Sequence, residues 1–198
     1  MTKMINVGIL LFNEVEVLDF AGPFEVFSIA QRGNEKLFKV ITISEDGDII
    51  HARNGLKIQP DTSFNDELDL DILIIPGGYG AEEIEIKNKK VINWIKSQKE
   101  KVKILASVCT GAFLLAESGI LDNKKATTHW MDISRLENDY PKIIVIKNKR
   151  FVDESDIITS GGISSGINMS LHIIKKLFGL QIAEYTAKRM EYDIDIKE

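Results

Sequence analysis

Apolar residues come in two rhythms along this chain. Short unbroken runs of aliphatic side chains alternate with longer stretches in which apolar positions recur every three or four residues. The first rhythm marks strands buried on both faces of a parallel sheet, and the second marks amphipathic helices. Met4 to Phe12 predicts a first strand, interrupted by Asn13-Glu14. Helical spacing follows from about Ala21 to Arg32, with Pro23 in the first turn and Gly33 as a stop. Leu37 to Ile43 predicts a second strand. Asn54-Gly55 between Asp48–His51 and Leu56–Gln59 predicts a hairpin. Asp71 to Ile75 predicts a third buried strand that ends in Pro76-Gly77-Gly78-Tyr79-Gly80. Asn88 to Lys99 predicts a helix with Val91, Ile92 and Ile95 inward. Val102 to Val108 is β-rich, and the pattern turns helical at Cys109, with Gly119 near the end of that helix. Lys124 to Trp130 predicts a short strand and a turn into a helix through Leu136. Ile143–Ile146 and Arg150–Val152 predict a small antiparallel pair around Asn148. Ile157–Ser160 predicts another core strand. A helix from about Ile163 to Phe178 stops at Gly179, and a last one spans roughly Leu180 to Tyr192.

Strands alternating with helices predict an α/β fold: a mostly parallel sheet with helices on both faces. The 198 residues suffice for one such domain over 1–198, and no repeat or composition shift divides them. A net charge of −5 and basic runs broken by apolar or amide residues argue against a nucleic-acid surface. The single cysteine excludes an internal disulfide, and no spacing suits zinc. No apolar run approaches the roughly 20 residues that span a bilayer, and Met1–Asn6 lacks a signal region. The expectation is a cytoplasmic protein with a small-molecule substrate and no membrane partner.

In such sheets, ligands bind beyond the carboxyl ends of the strands. Asp19, Gly77-Gly78, Cys109 and Gly161-Gly162 all fall there. Cys109 stands at a strand-to-helix switch, the layout of a nucleophile elbow, where helix N–H groups favour a thiolate. That context outweighs the plainer reading of a small buried hydrophobe. Asp19 is either a helix N-cap or a proton-carrying partner of the thiol. An ionised Asp19 would instead raise the thiol pKa. Gly77 and Gly78 can present backbone N–H groups to an anion, or simply form a tight turn. Thr110 adds a hydroxyl and an N–H beside the sulfur, while Tyr79 and Ile163 suit pocket walls. His129 is a base or a packed neighbour of Trp130; His51 and His172 read as structural or exposed.

Five motifs occur together: Leu18-Asp19-Phe20-Ala21-Gly22-Pro23, Ile75-Pro76-Gly77-Gly78, Ser107-Val108-Cys109-Thr110-Gly111, Ala126-Thr127-Thr128-His129-Trp130, and Gly161-Gly162-Ile163-Ser164-Ser165-Gly166-Ile167. They resemble the PfpI superfamily of class I glutamine-amidotransferase-like proteins, over Met4 to about Tyr192. Within it the motifs are similar to isocyanide hydratases and to the sensor half of AraC-type regulators. The resemblance implies a flavodoxin-like three-layer sandwich, a homodimer, and chemistry without metal or organic cofactor. It implies Cys109 as nucleophile, Asp19 as its carboxylate partner, and Gly78 and Thr110 close to the sulfur. It also implies a hydro-lyase in which sulfur attacks an isonitrile carbon and water releases an N-substituted formamide. A glyoxalase-type enzyme for α-oxoaldehydes and a non-enzymatic cysteine redox or stress sensor are the alternatives. Protease-like members place His after the Cys; here Thr110 stands there, which excludes that dyad. The sequence runs to Glu198 with neither the regulators' DNA-binding half nor the hydratase's proline-rich tail.

Overall fold

The computed structural model describes residues 3–194. Seven strands form the central sheet: β1 (Ile5–Leu10), β2 (Phe38–Ser44), β3 (Thr62–Ser63), β4 (Ile72–Ile75), β5 (Ile104–Ser107), β6 (Phe151–Asp153) and β7 (Ile157–Ser160). Their order across the sheet is β6-β7-β5-β4-β1-β2-β3. All neighbours pair in parallel except β6 with β7. The apolar runs become strands because both faces are covered: every residue of β4, β5 and β7 is buried. The helices are α1 (Val17–Ile29), α2 (Lys89–Lys99), α3 (Gly111–Glu117), α4 (Ile133–Asp139), α5 (Ser165–Phe178) and α6 (Leu180–Arg189). Helices α1, α5 and α6 pack together as one layer, and α2 and α3 as the other.

The five long parallel strands, counted along the chain, lie in the order 2-1-3-4-5. The order reverses between β1 and β4, and the crevice above that switch point is where doubly wound folds bind ligands. Asp19 follows β1 and Gly77 follows β4, so the topology places both beside it.

Several boundaries differ from the sequence pattern. Helix α1 begins at Val17, not Ala21, so Pro23 lies well inside it and Glu16 occupies the N-cap position. The alternating Val15-Glu16-Val17 stretch hides this start. Gly33, at φ 60°, does not stop the helix; it turns a hairpin in which Gln31–Arg32 pairs with Glu35–Lys36. The hairpin of Ile50–His51 with Lys57–Ile58 forms around Asn54 and Gly55. On α2, Trp94 is buried and stacks on Phe64, while Ile92 is half-buried.

The antiparallel pair expected around Asn148 is not formed. Ile144–Val145 pairs in parallel with Lys125–Ala126, and Phe151–Asp153 pairs instead with β7. The physical reason lies in the turn after Asp153. Its Oδ1 accepts the Ser155 N–H at 2.7 Å, Ser155 takes φ 72°, and the chain reverses there into β7. Helix α6 ends at Arg189, short of Tyr192. Among the described residues no helix is long and apolar enough to cross a membrane.

Candidate active site

Cys109 sits two residues past the end of β5 with φ 56°, the left-handed region that side chains other than glycine seldom adopt. Such a conformation costs on the order of 1–3 kcal/mol and persists only where neighbours enforce it. Here the Val108 N–H donates to Ile75 O at 3.0 Å and the Cys109 N–H to Gly161 O at 3.1 Å. The Thr128 hydroxyl donates to Cys109 O at 2.8 Å. The end of strand β4 and two loops therefore grip the elbow. Ile163, a β-branched residue, is also left-handed at φ 50°, so two strained residues meet at one site.

Gly77 and Gly78 lie against the elbow, but neither N–H is left as a free anion donor. The Gly77 N–H donates to Asp19 Oδ2 at 3.0 Å, and the Gly78 N–H donates to Thr110 Oγ1 at 2.9 Å. A Cβ at Gly77 would stand 2.5 Å from Thr110 N and 2.9 Å from Asp19 Oδ2. Glycine is required there by close approach. The pair thus positions Asp19 and Thr110.

Asp19 is the third residue of α1 and completely buried, which removes the N-cap reading. Burial is the largest influence on its carboxyl and raises it from 3.8 to about 7. The Gly77 N–H opposes that rise, and the Glu16 charge adds to it. Oδ1 is buried without a partner in full hydrogen-bond geometry. The Cys109 thiol and the Ile163 N–H nonetheless lie near enough to favour the ionised carboxyl. Cys109 itself is only 7% exposed. Burial pushes its thiol far up, the Asp19 charge pushes further, and the N–H groups of Thr110 and Ile163 pull back. These influences oppose the standing thiolate expected from a helix amino end. Helix α3 has only seven residues, and burial is the largest influence on the thiol. The site holds a cysteine sulfur and a carboxyl, adjacent and buried, whose titrations are coupled.

A cleft of about 320 Å³ leads to the sulfur. Gly78, Tyr79, Thr110, His129 and Ile163 line it, so the expected site residues converge on it, with Asp19 and Gly77 beneath. Tyr79 is half exposed, and the Arg53 guanidinium lies 6.0 Å from its ring centre. His129 packs against Gly162, where a Cβ would fall 2.0 Å from its ring. Its Nδ1 faces the Met131 N–H and Asp132 Oδ2, each at 3.4 Å. It stands on the wall, engaged with its own turn. His172 is held by Asp153 at 2.8 Å, and His51 is exposed. Among the described residues no cluster of His, Cys, Asp or Glu could hold a metal ion.

A family model described as DJ-1/PfpI matches residues 5–176. The chain belongs to the DJ-1/PfpI family. The isonitrile hydratase of Pseudomonas putida is 31% identical over 95% of this chain and 78% of its own length. The transcriptional regulator GbdR of Pseudomonas aeruginosa is 25% identical over 95% of this chain, which spans about half (51%) of the regulator. Among solved structures, a THiJ/PfpI family protein from Pseudomonas syringae superposes with a TM-score of 0.86 over 99% of this chain and 78% of that one, at 25% identity. Drosophila melanogaster DJ-1beta superposes with a TM-score of 0.83 over 97% of this chain and all of its own, at 22% identity, a likeness of fold. The mostly parallel sheet with helices on both faces is thus the flavodoxin-like fold of this family.

Some contributors to this DJ-1/PfpI site carry no sequence signal of their own. Thr128 is one residue of a polar run, and only the fold aims its hydroxyl at the elbow. Glu16, Arg53, Glu82 and Asp132 reach the cleft from four separate segments. Glu82 is raised by burial and by Asp132, against the opposing pull of Arg135.

Proposed function

We propose that this protein hydrates isonitriles to N-substituted formamides, with Cys109 as nucleophile and Asp19 as proton carrier. The observation that carries the reading is a buried cysteine beside a fully buried carboxyl held by the Gly77 N–H, which burial raises to about 7. Above that pH Asp19 is ionised and Cys109 keeps its proton. As the sulfur attacks the terminal isonitrile carbon, Asp19 takes the thiol proton and then gives it to that same carbon. The product is a covalent thioimidate, R–N=CH–S–Cys109. Water adds to its carbon, the C–S bond breaks, the sulfur regains a proton, and R–NH–CHO leaves. One isonitrile and one water give one formamide, with no electron acceptor required. The N–H groups of Thr110 and Ile163 favour the charge that gathers on sulfur. Gly77 and Gly78 serve as positioning residues.

The test is formamide release from an alkyl or aryl isonitrile by the wild type, Cys109→Ala and Asp19→Ala proteins. Turnover well above the Cys109→Ala background is expected, and none would reject the proposal. A second reading, a ligand-sensing domain without turnover, draws on the regulator relatives and on the raised thiol. Isonitrile binding without formamide release would select it. The homodimer implied by the motifs remains part of the proposal, and sedimentation of a monomer at all concentrations would remove it.

A further inference from the structure

A second cavity, of about 730 Å³, adjoins the thiol cleft and shares its His129 and Ile163 walls. Its chemistry is the reverse of the cleft's. The cleft is rimmed by three carboxylates, Glu16, Glu82 and Asp132, and by one cation, Arg53, which is paired with Glu14 at 2.9 Å. The adjoining cavity is lined by Lys147, Lys149 and Arg150 and by no carboxylate. Lys147 is paired with Glu137 at 2.9 Å; among the described residues Lys149 makes no ion pair and the Arg150 guanidinium makes none either, donating to the Ser164 hydroxyl at 3.3 Å. The amino end of the 14-residue helix α5 opens on the same space. Among the described residues the N–H groups of Gly162 and Ser164 there have no backbone acceptor.

Two buried side chains point to a ligand independently. Ser165 is 6% exposed and Thr127 is 1% exposed, and both line the cavity. Neither hydroxyl has a hydrogen-bond partner within the described residues. Their hydroxyl oxygens are not sealed off with the rest of the side chain, so with no protein partner they are open to what occupies the cavity. Free cations, a helix amino end and two idle hydroxyls share one complement: an anionic group with several acceptor oxygens.

We infer that this cavity binds the anionic tail, carboxylate or phosphate, of a small substrate whose electrophilic end reaches Cys109. The two charge fields set its direction. The acidic rim repels the anion from the thiol end, and the basic chamber receives it beyond His129 and Ile163. Only the identity of the electrophile rests on the proposed hydration.

The experiment therefore uses a different electrophile. Alkylation of Cys109 is timed for maleimidohexanoate against the uncharged N-hexylmaleimide, so that thiol reactivity cancels in the ratio. The wild type is expected to favour the anionic reagent by roughly 10-fold, the equivalent of one charged hydrogen bond. Lys149→Gln/Arg150→Gln and Ser165→Ala proteins should lose that preference while reacting with N-hexylmaleimide as the wild type does. Equal rates in the wild type, or a preference that survives in the double variant, would overturn the inference. Hexanoate and inorganic phosphate as competitors then separate the two anions: whichever slows maleimidohexanoate names the tail. A preserved preference in a protein that hydrates no isonitrile would leave this subsite standing and remove the reaction.

Discussion

Two aspartates bracket strand β4 and behave in opposite ways. Asp71 precedes the strand; burial pushes its carboxyl up, but Lys103 at 2.8 Å and the Asn6 N–H at 3.0 Å outweigh that and hold it below its ordinary value. Asp19 lies past the other end, more deeply buried, with one backbone N–H and no cation paired to it among the described residues. Its carboxyl rises to about 7. The residue type is the same, so the difference comes from the partners each end supplies. The amino end of the sheet fixes a charge and gains stability. The carboxyl end leaves a proton movable near neutral pH and gives up stability to do so.

The largest effects should fall at the carboxyl end. Cys109→Ala should abolish isonitrile turnover, and Asp19→Asn should lower kcat/KM by about 10²- to 10⁴-fold in steady-state assays. In the wild type kcat/KM should rise with pH through about 7 as Asp19 ionises, and Asp19→Asn should erase that limb.

Stability should show the same contrast. Between its unfolded value near 3.8 and its folded value near 7, Asp19 binds more proton in the folded state. Its contribution therefore falls as pH rises across that window, by roughly 4 kcal/mol in all. Urea melts of the wild type should show the loss, and Asp19→Asn should be the more stable protein at pH 8. Asp71 has the reverse sign, being lowered in the fold. Its stabilisation is present above the ordinary carboxylate range and is lost as pH falls through and below it. Asp71→Asn should cost about 1–2 kcal/mol at neutral pH, discounted for the exposure of Lys103, and should leave Cys109 alkylation unchanged. If Asp71→Asn altered the thiol as strongly as Asp19→Asn, the two ends would not be independent. The smallest effect belongs to Thr128→Val, about 1 kcal/mol from the lost hydrogen bond to Cys109 O, read by thermal melts.

The legible part of the sequence was the part written in local pattern. Apolar runs ending in glycine marked β4 and β7, and the lone cysteine between a strand and a helix marked the elbow. The start of α1 was hidden because Val15-Glu16-Val17 alternates like a strand while tertiary packing makes Val17 helical. The partner of Phe151–Asp153 was hidden because a turn at Ser155 closes the pairing with β7. The state of the thiol was hidden most deeply. Sequence position puts Cys109 at a helix end, which favours charge, but only the fold reveals how much water it loses. Likewise, the two glycine N–H groups look free until Asp19 and Thr110 arrive to take them.

The most direct measurement is the iodoacetamide alkylation rate of Cys109 against pH, in the wild type and in Asp19→Asn. The wild-type midpoint should lie well above that of an ordinary cysteine, and removal of the Asp19 charge should bring it down. Coincident profiles, or a wild-type thiol already ionised at pH 7, would contradict a proton governed by Asp19.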